Sequence, residues 1–501
     1  MSRAGSGAVA DSFAGGRASG AETGGLEGGR ASETGAGGPA GRILIRGGRI
    51  VDPRSGRDET GDLYMEGGRI CGARRTAEAV AEAAGAAIAA PSAPASMDMG
   101  ADTGRMLVVE AAGCIVVPGL IDLHVHFREP GACHKEDIDS GSRAAAAGGY
   151  TTVCCMPNTR PAIDGRETLT YVDEKGKLAG KVNLLAAGAM TAGQAGKTLA
   201  DIAGMAAAET RCTELAGRGI CGVSEDGRTL MDPILMRRVA ETAKALGLPV
   251  LDHTENHGRT GGAVNEGAVS ERLGLPGIPA GAEADIVRRD IALAREAGCR
   301  MHLQHISAAE SVEALREAKA AGVRISAETA PHYLALTEEA VLTAGSDAKM
   351  NPPLRTEADR QAVIRALCDG TIDVIATDHA PHAAEEKARP LRDAPFGVAG
   401  LETAFAVSYT VLVRGGHMRL PELIRRMSAL PADLMDISRG GLAPGDVADV
   451  AVFDVETPHR VDRERFISKG KNTPFQGMQV YGETRCTILG GKITWNAPPM
   501  A

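Results

Sequence analysis

Between residue 115 and about residue 385, short apolar runs alternate with stretches that carry apolar residues at helical spacing. The runs are 115–127, 151–156, 182–190, 220–224, 249–253, 301–306, 323–328 and 372–377. Nearly all are continuously apolar, which is typical of strands that are buried on both faces in a parallel sheet. Eight such strand–helix units predict an α/β fold with a closed, TIM-type (β/α)8 barrel. A doubly wound open sheet is the alternative.

The two ends of the chain have a different pattern. Short β-rich runs occur at 43–51, 62–71, 106–110, 449–453, 479–481, 486–489 and 492–495, and Gly-Gly splits the first two. They predict a small flanking β-sandwich domain to which both chain ends contribute.

These patterns predict the domain boundaries. We expect a disordered Gly/Ala-rich tail at 1–41, the N-terminal part of the small β domain at 42–113, the barrel at 114–440 and the C-terminal part of the small domain at 441–501. Within the small domain, 73–105 is predicted to be an insert, with a helical Ala-rich first half and a loose second half. The tail has too few large apolar residues to offset the entropy of ordering it.

Composition and charge narrow the class of protein. A chain with 44% hydrophobic and 24% charged residues is an ordinary globular one, and its net charge of −9 argues against nucleic acid or an anionic membrane as partner. The sequence has no run of 18 apolar residues and no apolar signal-peptide core, so we expect a cytoplasmic protein. The ten cysteines form no C-x-x-C pair, which favours free thiols.

Two histidines, His124 and His126, end the first predicted strand. Side chains two residues apart on a strand point to the same face, so both imidazoles can hold one metal ion. Arg128 continues this alternation and adds a guanidinium group. Other predicted strand ends contribute His253, His305 and Asp378. A single such histidine is usually a core residue, but their convergence on the carboxyl ends of barrel strands predicts a metal site. Mixed nitrogen and oxygen ligands suit Zn²⁺, with Mn²⁺ or Co²⁺ as substitutes.

This constellation resembles the amidohydrolase superfamily. In its two-metal members a group from the third or fourth strand bridges the ions, and this group is often a carboxylated lysine. Here the third and fourth predicted strands end without a lysine. Asp226 is therefore the predicted bridge, because a carboxylate can contact two cations. Its neighbour Glu225 is disfavoured, since alternation turns it elsewhere.

Longer motifs resemble those of bacterial-type (class I) dihydroorotases. They occupy 124–131, 156–161, 349–355, 375–382, 394–397 and 468–474. The resemblance runs from about residue 43 to residue 496 and omits only the tail and the insert. Two places depart from the usual pattern: the pair before Gly227 is Glu225-Asp226, and a strand that usually ends His-Cys-Glu has threonine between His253 and Glu255. Neither departure removes an expected ligand.

The resemblance implies the reversible cyclisation of N-carbamoyl-L-aspartate to (S)-dihydroorotate plus water, a step of pyrimidine biosynthesis. It implies two zinc ions per subunit: His124, His126 and Asp378 would hold one, His253 and His305 the other, with Asp226 bridging. Asp378 would also carry the proton between the attacking water and the leaving nitrogen. Implied substrate contacts are His126, Arg128, Asn158, Asn351, His382, Phe396 and Gly397, with Arg128 binding the carboxylate.

Two other functions remain open from the sequence. A related cyclic-amide hydrolase, such as a hydantoinase, dihydropyrimidinase or allantoinase, would normally have a lysine bridge and lack the Arg–Asn carboxylate contact. A non-catalytic dihydroorotase-like scaffold would be expected to lose metal ligands, and all six are present. For partners we expect a small-molecule substrate, no nucleic acid, no membrane and a homodimer, and we consider a complex with an aspartate transcarbamoylase. His332 and His379 are left outside the site.

Overall fold

The computed structural model describes residues 41–85 and 106–497. Its strands are β1 (Ile43–Asp52), β2 (Arg57–Glu66), β3 (Arg69–Ile70), β4 (Leu107–Glu110), β5 (Cys114–Pro118), β6 (Leu120–Val125), β7 (Tyr150–Cys155), β8 (Asn183–Ala186), β9 (Gly188–Ala189), β10 (Val223–Ser224), β11 (Pro249–Asp252), β12 (Val264–Asn265), β13 (Gly277–Ile278), β14 (Arg300–Leu303), β15 (Ile325–Thr329), β16 (Val374–Ile375), β17 (Val450–Asp454), β18 (His459–Arg460), β19 (Gln479–Val480), β20 (Glu483–Leu489) and β21 (Lys492–Asn496). Apart from Gly41, the predicted tail lies outside the described residues, as does the insert from 86 to 105.

The α-helices are α1 (Ala73–Gly85), α2 (Ile138–Ala147), α3 (Arg166–Ala179), α4 (Ile202–Ala206), α5 (Arg211–Ala216), α6 (Pro233–Ala245), α7 (Ala268–Leu273), α8 (Ala280–Ala297), α9 (Ala309–Ala320), α10 (Pro331–Ala335), α11 (Val341–Ala344), α12 (Glu357–Asp369), α13 (Ala384–Lys387), α14 (Ala404–Ser408), α15 (Leu420–Ile424) and α16 (Leu430–Leu434). Shorter 3₁₀ segments are Ala192–Gln194, Glu338–Ala340, Gly345–Ala348 and Arg463–Arg465, and π segments are Tyr409–Arg414 and Arg425–Ala429. No described helix is long and apolar enough to cross a membrane.

Parallel strands form a ring. The pairing runs β6–β7–β8 and β9–β10–β11–β14–β15–β16, and only Ala187 separates β8 from β9. A parallel bridge between Val125 and His379, with the His126 amide donating to the His379 carbonyl at 2.8 Å, joins the last strand to the first. The order agrees with the predicted (β/α)8 barrel. It places the carboxyl ends of the strands, and the residues that follow them, around one rim.

The small sheet combines strands from the N-terminal and C-terminal parts of the described chain. Eight strands form it in the order β21–β20–β17–β5–β1–β2–β3, with β4 pairing to β1. An apolar cluster covers one face, with members such as Ile45, Val116, Val452 and Ile488. Because the described strands form a single hydrogen-bonded sheet, the predicted two-sheet sandwich is not confirmed.

The predicted boundary at residue 114 is wrong. The run 115–127 was predicted to be one barrel strand, but β5 pairs with β17 and β1 in the small sheet, and the barrel begins with β6. Gly119 lies at the change of sheet, where an added Cβ would meet the Thr151 hydroxyl at 2.2 Å. The hydrophobic pattern continues unbroken across this point because both strands are buried.

Polar caps fix helix ends. Asp137 starts α2 by accepting from the Ser140 amide at 2.8 Å, and Asp232 caps α6, whose first residue is Pro233. Gly298 ends α8 at a left-handed φ of 64°. These signals set where each helix begins or ends, whereas apolar faces set which side packs against the barrel.

The sulfur atoms of Cys154 and Cys221 lie against each other in the barrel interior, and the other eight cysteines are free. The Cα atoms of the pair are 7.1 Å apart, which is too wide for a disulfide without backbone movement, so free thiols stay the prediction for this pair. The two residues are 67 positions apart in sequence, and the closure of the barrel brings them together.

Candidate metal and substrate site

The site begins at the carboxyl end of β6. His124 lies on the strand and His126 one residue beyond it, with ring centroids 5.2 Å apart and both side chains buried. The same-face argument therefore describes their placement. The same argument does not apply to Arg128, because the chain has left the strand there and Arg128 has a left-handed φ of 59°.

Asp226 faces all four predicted histidine ligands. Its carboxylate oxygens lie 3.0 Å from His253 Nδ1, 3.3 Å from His126 Nε2, 3.5 Å from His124 Nε2 and 3.7 Å from His305 Nε2. His253 Nδ1 and His305 Nε2 are 2.8 Å apart. One buried carboxylate thus contacts imidazoles from three different barrel strand ends.

Glu225, the disfavoured neighbour, points to another part of the barrel. Its carboxylate accepts from the Met190 and Thr191 amides at 3.1 Å. It supports the chain after β9 and does not face the histidines.

Asp378 completes the cluster from beyond β16. Its Oδ1 lies 3.1 Å from His126 Nε2 and 3.5 Å from His124 Nε2, and its φ is 47°. Burial alone would raise the pKa of Asp378, but the charges of His124 and His126 outweigh burial and hold this pKa well below its ordinary value. Asp378 is therefore a carboxylate in this site.

The chemistry of these donors fits a metal centre. His124, His126 and Asp378 form one group of converging ligand atoms, and His124, Asp226 and His305 form another. Burial lowers the pKa of His124, but the negative charges of Asp226 and Asp378 raise it well above its ordinary value. His124 Nε2 is fully buried and has no hydrogen-bond partner within 41–85 and 106–497. A divalent cation would replace the proton and satisfy this atom.

Three side chains orient the histidines by contacting the ring nitrogen that does not face Asp226. Glu328 Oε1 lies 2.7 Å from His124 Nδ1, and Asn158 Oδ1 lies 2.9 Å from His126 Nδ1. Glu255 Oε2 lies 3.2 Å from His253 Nε2. Such acceptors fix the tautomer and direction of a metal-binding imidazole. Asn158, which is predicted to be a substrate contact, thus also orients His126, a predicted metal ligand.

Sequence reasoning assigned no role to the end of β15, which supplies Glu328. Glu328 is 1% exposed, and its carboxylate also accepts from His302 Nε2 at 3.1 Å. Burial opposes ionisation, but His124 and His302 lower the pKa of Glu328 to about 2. The available signal was a carboxylate at the end of a predicted barrel strand, because a carboxylate buried there is costly unless it is paired.

The predicted carboxylate contact lies beside the histidine cluster. Arg128 Nη2 is 3.4 Å from His382 Nε2, and Arg128 Nε donates to the Pro381 carbonyl at 3.3 Å. His382 Nε2 also lies 2.8 Å from the Phe396 carbonyl. These residues therefore form one wall of the site.

Asn351 and Gly397 occupy the same side. Asn351 lies beside Glu255, and the Gly397 amide donates to the Lys349 carbonyl at 2.9 Å. Gly397 has a φ of 143°, and an added Cβ would meet the Ala380 carbonyl at 2.4 Å, so the position requires glycine.

The two histidines left outside the predicted site have different surroundings. His379 turns away from the cluster, because its Nδ1 accepts from the Gly400 amide at 3.1 Å and its Nε2 lies 3.4 Å from Glu136. His332 is 1% exposed, and burial lowers its pKa to about 4, so it is a neutral buried imidazole.

Comparisons with known proteins agree with this geometry. Residues 113–311 match the family model described as dihydro-orotase-like. Relatives named dihydroorotase, from Geobacter metallireducens and Clostridioides difficile, are 43% and 41% identical over 90% and 91% of this chain and 99% and 100% of their own.

Solved structures share the fold. An L-hydantoinase (dihydropyrimidinase) from Arthrobacter aurescens has a TM-score of 0.73 and covers 92% of this chain and 97% of its own. A dihydropyrimidinase from Brevibacillus agri has a TM-score of 0.70, with 91% and 95% covered. Both are 22% identical to this chain, a likeness that shows the fold alone.

A barrel whose strand ends converge on a buried histidine–aspartate cluster defines a metal-dependent hydrolase of the amidohydrolase type. The relatives above, matched over nearly their whole length, narrow this class to enzymes that act on cyclic amides. Within it, the chain belongs to the dihydroorotase family.

Proposed function

We propose that this enzyme interconverts N-carbamoyl-L-aspartate and (S)-dihydroorotate plus water in pyrimidine biosynthesis, and that it uses two zinc ions per subunit. The observation that carries the proposal is the position of Asp226. Its two oxygens lie 3.0–3.7 Å from nitrogens of four histidines. A carboxylate so placed can bridge two cations, and the imidazoles supply the other ligands.

In this proposal His124, His126 and Asp378 hold one ion, and His253 and His305 hold the other. Bound zinc would supply an activated water and polarise the amide carbonyl. The orienting groups Glu328 and Glu255 keep the imidazoles aimed at the centre.

Asp378 is the proposed proton carrier. Its low pKa makes it a carboxylate before reaction, so it can accept a proton from the water that attacks the ring amide carbonyl. It then returns that proton to the leaving nitrogen. In the cyclising direction the same carboxylate takes the proton from the attacking nitrogen and delivers it to the departing oxygen.

Substrate recognition is proposed for the wall beside the cluster. The Arg128 guanidinium offers paired donors to the substrate carboxylate. His382, Asn158 and Asn351 add polar contacts, and the Phe396–Gly397 backbone adds amide and carbonyl groups. His126 contacts the substrate as well as the metal.

The experiment is an assay of the purified, zinc-loaded chain in both directions, with hydantoin and allantoin as competing substrates. We expect turnover of dihydroorotate and of carbamoyl-aspartate, and about two zinc ions per chain by elemental analysis. Turnover of hydantoin or allantoin without dihydroorotate would contradict the proposal. The matched metal control is Asp226→Ala, which should lower the zinc count.

We also propose that the chain forms a homodimer and works in the cytoplasm, and we consider an aspartate transcarbamoylase as its partner. Light scattering of the chain alone, and of its mixture with a transcarbamoylase, tests both assemblies. A monomer with no added mass in the mixture would contradict them.

A further inference from the structure

A polar segment of the C-terminal chain, residues 468–474, reaches the proposed substrate wall. It is one of the motifs that resemble the family, yet nothing in the proposed reaction uses it. Asn472 lies in this segment and is only 3% exposed. A buried amide must place its donors and acceptors on specific partners, so those partners indicate what the segment does.

Asn472 joins two pieces of the wall. Its Oδ1 accepts from the His382 amide at 3.0 Å, and its Nδ2 donates to the Gly397 carbonyl at 2.9 Å. The same Nδ2 lies 3.3 Å from the Ala380 carbonyl, and the Asn472 carbonyl accepts from the Ala399 amide at 2.8 Å. One side chain therefore ties the residues after β16 to the loop that follows α13.

The loop is also hydrogen-bonded to Lys387, the last residue of α13. Lys387, which is 5% exposed, donates to the Gly397 carbonyl at 3.1 Å and to the Pro395 carbonyl at 3.0 Å. These carbonyls flank Phe396, whose own carbonyl lies 2.8 Å from His382 Nε2. Lys387 sets the shape of the loop, whereas Asn472 sets its position against His382.

The segment that carries Asn472 is itself firmly held. Ser468 donates to the buried Glu136, and the Ile467 and Ser468 amides donate to Glu402 at 2.8–3.0 Å. At Gly470 an added Cβ would lie 2.5 Å from Pro381 Cβ and 2.9 Å from the His382 amide. The Gly470 backbone therefore packs directly against Pro381 and His382, and no side chain would fit between them.

We propose that Asn472 is a positioning residue for the substrate: it holds the His382 main chain and the Gly397 carbonyl at a fixed separation. This inference rests on the proposed function, because His382 and Gly397 are proposed substrate contacts. Asn472 itself lies behind them and acts through their position. Its loss should loosen substrate binding more than the chemical step, since the metal ligands keep their own supports.

The variants are Asn472→Ala, which removes both ties, and Asn472→Asp, which keeps the acceptor for the His382 amide but loses the donor to Gly397. The matched control is Asn183→Ala. Asn183 is also a buried amide, 2% exposed, but it bonds Thr152 and Arg211 on another side of the barrel.

We expect both Asn472 variants to raise KM for dihydroorotate about tenfold or more, with kcat within about threefold and zinc content unchanged. Amide hydrogen exchange across 380–400 should speed up about tenfold in Asn472→Ala and remain unchanged in Asn183→Ala. Unchanged KM together with unchanged exchange in Asn472→Ala, in an enzyme whose wild type turns over dihydroorotate, would overturn the inference.

The two proposals fail differently. A wild type inactive on dihydroorotate contradicts the proposed function, and the exchange measurement still decides whether Asn472 holds the loop. If Asn472→Ala and Asn183→Ala lower the melting temperature equally and neither changes KM or exchange at 380–400, Asn472 is only a structural residue.

Discussion

The barrel rim and the small sheet differ in what they bury. The rim buries imidazoles and carboxylates, and three of its non-glycine residues have a left-handed φ: Arg128 at 59°, His305 at 40° and Asp378 at 47°. The described strands and turns of the small sheet bury an apolar cluster, and there only glycines have a positive φ.

This contrast shows where stability and function lie. Non-glycine residues in a left-handed conformation cost about 1 kcal/mol or more each, and buried charges are costly unless paired. The rim bears such costs because its side chains must face one point. The small sheet has no such requirement, and its buried apolar side chains stabilise the fold. Substitutions in the two regions should therefore separate activity from stability.

The largest effect is expected at the rim, for Asp378→Asn. Removing the proton carrier and one metal ligand should lower kcat/KM by about a thousandfold or more, while the far-UV circular dichroism spectrum stays that of a folded chain. Asp373→Asn is the matched control, because Asp373 precedes β16 at the opposite end and pairs with Lys319. Near-normal activity of Asp378→Asn with bound zinc would remove Asp378 from the mechanism.

The counterpart in the small sheet is Ile488→Ala. Ile488 is fully buried in the apolar cluster, so its truncation should lower the free energy of unfolding by about 2–5 kcal/mol, as measured with urea. The kcat/KM of the folded enzyme should not change. Leu107→Ala, at a residue 37% exposed on β4, should change stability by less than about 1 kcal/mol. A lower kcat/KM in Ile488→Ala would mean that the regions are not separable.

A smaller effect is expected for Glu328→Gln, which keeps the shape behind His124 but removes the charge. Zinc affinity, measured by competition with a chelator, should fall about 10–100-fold. The control is Asp173→Asn, a buried carboxylate on α3 that accepts from the Arg211 amide at 2.6 Å. Equal zinc affinity in Glu328→Gln and wild type would show that Glu328 does not tune the ligand.

The last prediction concerns Glu402, whose carboxylate accepts from the Ile467 and Ser468 amides. Burial raises its pKa from 4.5 to about 7. The folded state then holds this proton more tightly than the unfolded state, so its contribution to stability decreases as pH rises from about 4.5 to 7. This one group can change the free energy of unfolding by at most about 1.4 kcal/mol per pH unit. Urea unfolding at pH 5 and pH 7.5 should show a weaker pH dependence in Glu402→Gln, and identical dependence in both proteins would refute this.

Much of the architecture could be predicted because it follows from local pattern. Runs of buried apolar residues alternating with amphipathic segments define strand–helix units, and parallel strands must place their carboxyl ends on one side. That is why His124, His253 and Asp378 could be grouped before their distances were known. The boundary at 114 was missed because burial on both sides of Gly119 leaves no change in hydropathy.

By itself, the sequence determined the succession of strand–helix units in the barrel and the residue types that end its strands, since both depend on residues near each other in the chain. Only the tertiary structure decided that Asp226 faces four histidines, that Glu328 supports His124, and that Asn472 ties His382 to Gly397. Those contacts join residues up to 204 positions apart. The closure of the barrel and the path of the C-terminal segment set their distances, and no local pattern encodes either.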